Sequence, residues 1–133
     1  MSAPPDETAI VPPEGFVLSS SRGPYSTHNG PYFHRETQGE ATEHAFLANG
    51  LGLVHGGMLT SFMDGLLAAA VWRAGRRSSV TIHLSIDFLH MARVGEWVFG
   101  ESRVTRLTRD VAFVEGRAHV AGRDVVRASG VFK

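Results

Sequence analysis

The chain has 133 residues, with 13 basic and 13 acidic side chains and no cysteine. That length fits one domain with a single core, the charge balance carries no footprint of a nucleic-acid or membrane-surface binder, and the absent thiols exclude disulfides, thiolate metal sites and cysteine nucleophiles. No segment has the roughly 20 apolar residues that a membrane span requires, and the start "MSAPPDETAIVPPEGF" lacks the cationic-then-apolar pattern of a signal peptide. A soluble, cytoplasmic protein is the expectation.

Residues 1–29 read as a flexible or irregular arm. Four prolines and three acids favour solvated, extended chain at its start, and residues 16–30, "FVLSSSRGPYSTHNG", are rich in Ser, Gly, Pro and Asn. A single domain over residues 30–133 follows. "PYFHRE" suggests a short strand at 31–37, "TQGE" a turn, and "ATEHAFLA" a return strand whose composition also tolerates a helix.

From Gly56 or Gly57 to Arg73 the pattern is helical, with Gly75 as a natural C-cap. Met58, Leu59, Phe62, Leu66, Ala69 and Ala70 lie opposite Asp64, while Gly57, Thr60, Ser61, Leu67, Ala68 and Val71 share its side. Small and apolar residues on both sides predict a helix covered all round.

Beyond the helix the period changes to two. "VTIHLSIDFLHM" alternates, with Val80, Ile82, Leu84, Ile86 and Phe88 on one face. "EWVFGESRVTRL", "VAFVEGRAHVAG" and "DVVRASGVFK" complete four strands read as an antiparallel meander, with "LTRD" and "AGRD" as hairpin connections. One helix wrapped by a curled antiparallel sheet of about five to six strands is an α+β architecture. Because one open sheet cannot enclose a helix, a second subunit is expected against it.

Asp64 is the first functional candidate. Burying a carboxylate without a partner costs several kcal/mol or raises its pKa, and a carboxylate so held suits general-base or nucleophilic work; the plainer alternative is a satisfied buried group or an ion pair at a subunit boundary. "HGG", residues 55–57, is the second. It reads either as a loop-to-helix junction with His55 as N-cap, or as a place where a ligand approaches unpaired amide donors at Gly56 and Gly57 and forms an oxyanion hole. Gly57 and Asp64 are seven residues apart, about 10 Å along the axis, which is long for one small reacting centre unless an antiparallel partner helix contributes. The seven histidines show no metal-ligand spacing, so no metal and no cofactor are expected, and no GxSxG elbow is present.

"NGLGLVHGGMLTSFMD", the apolar helix that follows it and "SVTIHLSIDFLHMARVGEW" together resemble the hotdog-fold acyl-CoA thioesterases, closest to the group of the phenylacetate-pathway and small human-type enzymes. The resemblance covers residues 30–133. It implies hydrolysis of an acyl-CoA substrate to free acid and coenzyme A by a homodimer paired into a homotetramer, with the reacting groups meeting across the dimer interface. By motif position, Asp64 is the general base or nucleophile, the Gly57 N–H polarises the thioester carbonyl, His55 lies near that carbonyl, Asn49 holds substrate or water, and Thr81 orients the water. Gly56, His90, Met91 and Arg109 are the implied substrate-binding residues, the last beside the coenzyme A phosphates. "FLHM" and "TRD" depart from the Pro and Gly-Arg common in that group. A hotdog dehydratase or hydratase acting on acyl thioesters and a non-catalytic acyl-CoA-binding module are the competing readings.

Overall fold

The computed structural model describes residues 10–19, 30–35, 42–48 and 55–133. Its elements are β1 (Val17–Leu18), β2 (Tyr32–Arg35), β3 (Thr42–Leu47), α1 (Gly56–Gly75), β4 (Thr81–Phe88), β5 (Trp97–Leu107), β6 (Ala112–Val120) and β7 (Arg123–Phe132). The strands form one seven-stranded antiparallel sheet in the order β1-β2-β3-β5-β6-β7-β4. The expected arrangement of one helix on a curled sheet is present. The additional strand is β1, inside the stretch read from sequence as irregular, where Val17 pairs with His34 and Leu18 with Phe33.

The four C-terminal strands are not one meander. β5, β6 and β7 are consecutive neighbours, but β4 lies beyond β7, and β5 takes β3 on its other side. The cause is the helix: α1 carries the chain from β3 across the sheet to its far edge, and residues 89–96 bring it back beside β3.

Helix α1 starts at an extended His55 and buries Leu59, Phe62, Met63, Leu66, Leu67, Ala70 and Val71. It runs one residue past the expected Gly75 cap: Arg76 takes the left-handed conformation, φ 54° and ψ 31°, and its N–H closes on the Trp72 carbonyl at 2.7 Å. Among the described residues of the single chain, one strip of the helix is left open, on the side where a second subunit was expected. Gly57, Gly65 and Trp72 are exposed along one strip, with Ser61 and Ala68 half-buried between them.

The sheet receives the helix in a diagonal trough of glycines. Gly100 on β5 lies opposite Ala118, two residues along β6 from Gly116, and Gly116 lies opposite Ala128, two residues along β7 from Gly130. A Cβ on Gly100 would stand 2.7 Å from the Phe62 ring and 2.8 Å from Leu66, and one on Gly116 would stand 3.0 Å from Leu67. Helix and sheet therefore approach more closely than side chains there would permit. The buried Ser102 hydroxyl fastens the contact by donating to the Leu66 carbonyl at 2.7 Å.

A second, smaller core lies on the other face. Phe33, Ala45 and Phe99 alternate out of phase with Phe46 and Val98 of the main core, and they pack with Phe16, Ile10 and Trp97. The described N-terminal segment thus covers part of the outer surface, and the Arg35 guanidinium sits 4.7 Å from the centroid of Phe16.

β4 is an edge strand, at the opposite side of the sheet from β1. Leu84 and Ile86 reach the main core, but Val80, Ile82 and Phe88 of the predicted apolar face are 66%, 56% and 55% exposed.

Candidate active site

Helix α1 and strand β4 together position the carboxylate. The Thr81 Oγ1–H donates to Asp64 Oδ1 at 2.6 Å, linking the middle of the helix to the first residue of the edge strand. Asp64 is half-buried and Thr81 is exposed, so the carboxylate has a hydroxyl partner while remaining open to solvent. The carboxylate is therefore not buried without a partner.

The helix start follows the first of its two sequence readings, the loop-to-helix junction. His55 is the N-cap, and its Nδ1 accepts the Gly57 N–H at 2.8 Å. An acceptor Nδ1 leaves the imidazole proton on Nε2. The Gly57 amide pictured as unpaired is therefore engaged, whereas the Gly56 N–H has no hydrogen-bond partner among the described residues. His55 also lends its carbonyl to the N–H groups of Met58 and Leu59, at 2.9 and 3.2 Å. The Thr60 and Ser61 hydroxyls, which lie between the glycines and Asp64, bond back to the Gly56 and Gly57 carbonyls at 2.8 and 3.0 Å. The Phe88 ring, at the far end of β4, comes within 3.6 Å of where a Gly56 Cβ would stand, closing one side of the helix start.

The other expected residues are dispersed. His90 and Met91 follow β4 on the exposed surface, where His90 Nδ1 accepts the Met91 N–H at 2.9 Å. Arg109 lies on the β5–β6 hairpin, its carbonyl accepting from Arg77 just beyond the opposite end of α1. Asn49 lies outside the described residues. Asp64 with Thr81 and His55 with the glycine pair are thus brought together as two groups, and Arg109 belongs to neither.

His44 had no role in the sequence reading. It lies opposite Gly100 on the helix-facing side of the sheet, its Nδ1 buried without a partner. Burial, and secondly the neighbouring His34, push its pKa down to about 4. Its neighbours in "ATEHAFLA" alternate as a strand does, which is the signal by which its inward direction can be read.

Residues 51–126 match the family model described as Thioesterase superfamily. The chain belongs to the thioesterase superfamily. A protein of Pseudomonas aeruginosa named as a candidate esterase, PA0474, is 36% identical to this superfamily member over 130 residues, covering 90% of this chain and 95% of that one. The solved structure of a candidate thioesterase related to phenylacetic acid degradation, from Ralstonia eutropha JMP134, is 25% identical, with a TM-score of 0.72 over 84% of this chain and 91% of that one. A hypothetical thioesterase of Streptococcus pneumoniae TIGR4, solved with coenzyme A, is 18% identical and superposes with a TM-score of 0.68 over 76% of this chain and 83% of that one. The expected hotdog fold and the hydrolase class follow from these relations; the site residues and the acyl carrier are a separate question.

Proposed function

We propose that this superfamily member hydrolyses acyl-CoA thioesters to a free acid and coenzyme A. The observation that carries the reading is the Thr81–Asp64 hydrogen bond: one carboxylate oxygen is fixed by a hydroxyl, and the other is left to take a proton. The Thr81 oxygen, having donated its proton, can accept from a water held against the free carboxylate oxygen. That water attacks the thioester carbonyl as Asp64 takes its proton, and collapse of the tetrahedral intermediate expels the coenzyme A thiolate, which recovers a proton. In the alternative course Asp64 attacks the thioester carbonyl and expels the coenzyme A thiolate, and water then cleaves the resulting mixed anhydride to the free acid and the Asp64 carboxylate. Amides at the α1 start stabilise the developing oxyanion. The Gly56 N–H serves as it stands; the Gly57 N–H joins it only when the His55 ring turns away.

The two groups meet across a dimer in this reading. Gly57 and Asp64 of one chain stand about 10 Å apart along the helix, and a two-fold mate laid against β4 brings its own Asp64 toward the first chain's glycines. The exposed apolar residues of β4 and the uncovered strip of α1 support that contact. Pairing into a homotetramer and a cytoplasmic location complete the proposal. The coenzyme A bound by the Streptococcus pneumoniae protein of the same fold supports the choice of carrier.

Thiol release over a panel of aromatic, short-chain and long-chain acyl-CoAs, run beside Asp64→Asn, tests the reading. Turnover of at least one class, nearly abolished in the variant, is expected. An Asp64→Asn protein with wild-type turnover overturns the mechanism, and tight acyl-CoA binding without thiol release across the panel overturns the activity.

A further inference from the structure

The cations of this chain are not evenly matched. On the outer face of the sheet, arginines and carboxylates pair: Arg103 with Glu115 at 2.8 Å, Arg117 with Glu101 at 2.5 Å and with Asp124, and Arg127 with Asp87 at 3.4 Å. At the C-terminal end of α1 the pattern is different. Arg76 and Arg106 have no carboxylate partner among the described residues, and with Arg73 they line a groove of about 550 Å3 whose other walls are Ala74, Val104, Thr105 and Leu107. No acid lines it.

Two local departures from regular backbone bring these guanidinium groups to the groove. Arg76 occupies a left-handed position that favours glycine, although Gly75 stands one residue earlier. On the other wall the β5–β6 register shifts between Val104 and Arg106, and the Thr105 hydroxyl holds the irregularity by donating to the Phe113 carbonyl at 3.0 Å. Bulges of this kind re-aim the following side chain. The negative end of the helix dipole accounts for a cation in the last turn of α1, but not for Arg106 on a neighbouring strand.

We infer that this groove is a binding site for a phosphate-bearing small molecule, gripped by the Arg76 and Arg106 forks. Guanidinium presents paired N–H donors that match phosphoryl oxygens, and the volume lies within the range of small-molecule sites. The phosphates can belong to the coenzyme A portion of the substrate, which rests on the function proposed above, or to a separate phosphate ester.

Calorimetric titration with adenosine 3′,5′-bisphosphate and with inorganic phosphate, at low and high ionic strength, tests the site independently of any turnover. Arg76→Gly suits the left-handed backbone and so removes the guanidinium without straining the cap, and Arg106→Gln keeps the strand. The bisphosphate is expected to bind the wild-type protein, about tenfold more weakly in each variant and with a salt-dependent affinity, while Arg123→Gln binds as wild type does. If the KM for acyl-CoA rises in both variants at constant kcat, and an acyl-N-acetylcysteamine thioester without phosphates is unaffected, the phosphates are those of coenzyme A. If bisphosphate binding weakens while that KM is unchanged, the ligand is a separate ester. Failure of both probes to bind the wild type, or equal binding by the folded double variant, overturns the site.

Discussion

Thr81 and Asp64 are held 2.6 Å apart although seventeen positions separate them in the chain. The bond spans the turn between helix and edge strand, so the direction of the carboxylate is set by β4 and not by the helix alone.

Asp64→Asn keeps the size of the side chain and can still accept from Thr81, but it cannot take a proton from water. The kcat is expected to fall by about three orders of magnitude, with an unchanged melting temperature and sedimentation profile. Steady-state thiol release together with a thermal melt checks both halves.

Thr81→Val removes the hydroxyl, whereas Thr81→Ser restores it. The valine variant should lose about tenfold or more in kcat, the order expected for a hydrogen bond to a charged group, and the serine variant should return to within a few-fold of wild type. A purely structural role for Thr81 predicts altered stability without this recovery.

His55→Ala removes the acceptor of the Gly57 N–H and should destabilise the fold by about 1 kcal/mol, the usual worth of an N-cap side chain. His55→Asn supplies another good cap and should recover most of that loss. Denaturant unfolding of the three proteins gives the comparison.

His44 makes the fold acid-sensitive in a defined window. Its folded pKa of about 4 lies below the ordinary value of 6.5, first through burial and then through His34. The unfolded chain therefore binds more protons, and the stability present above pH 6.5 drains as the pH falls toward 4, by up to about 3 kcal/mol. His44→Gln should flatten that acid limb in urea melts taken across the window, while leaving the neutral limb shifted by a constant.

Ile82→Glu places a charge on the exposed edge strand. If β4 is the dimer contact, sedimentation should report a folded monomer, and hydrolysis should disappear with the assembly, because neither chain then has both groups within reach of one thioester.

Much of the fold was readable because α1 is one long run of apolar and small residues bounded by glycines, whereas β4 to β7 carry an apolar period of two. Strand order was not. Nothing in the local alternation of Val80 to Phe88 reveals that β4 lies beside β7, since that depends on where the crossover helix sets the chain down. β1 was missed because two residues, Val17 and Leu18, are too few to show a period. At the candidate site, the family resemblance pointed to Asp64, Thr81 and "HGG", but the engagement of the Gly57 amide by His55 is a matter of one side-chain torsion, and no spacing rule encodes it. Arg76 was not read as the cap because a neighbouring glycine is the better cap on propensity alone.

On the proposed mechanism, the glycine trough under α1 makes turnover sensitive to a place away from the Asp64–Thr81 pair. Because Phe62 and Leu66 occupy the space where a Gly100 side chain would stand, a single methyl there lifts the helix away from the sheet, while Thr81 on its separate strand stays behind. Gly100→Ala would therefore stretch the Asp64–Thr81 bond from the opposite side of the molecule. A substitution on the inner surface of the sheet is expected, on the proposed mechanism, to lower turnover before it lowers stability.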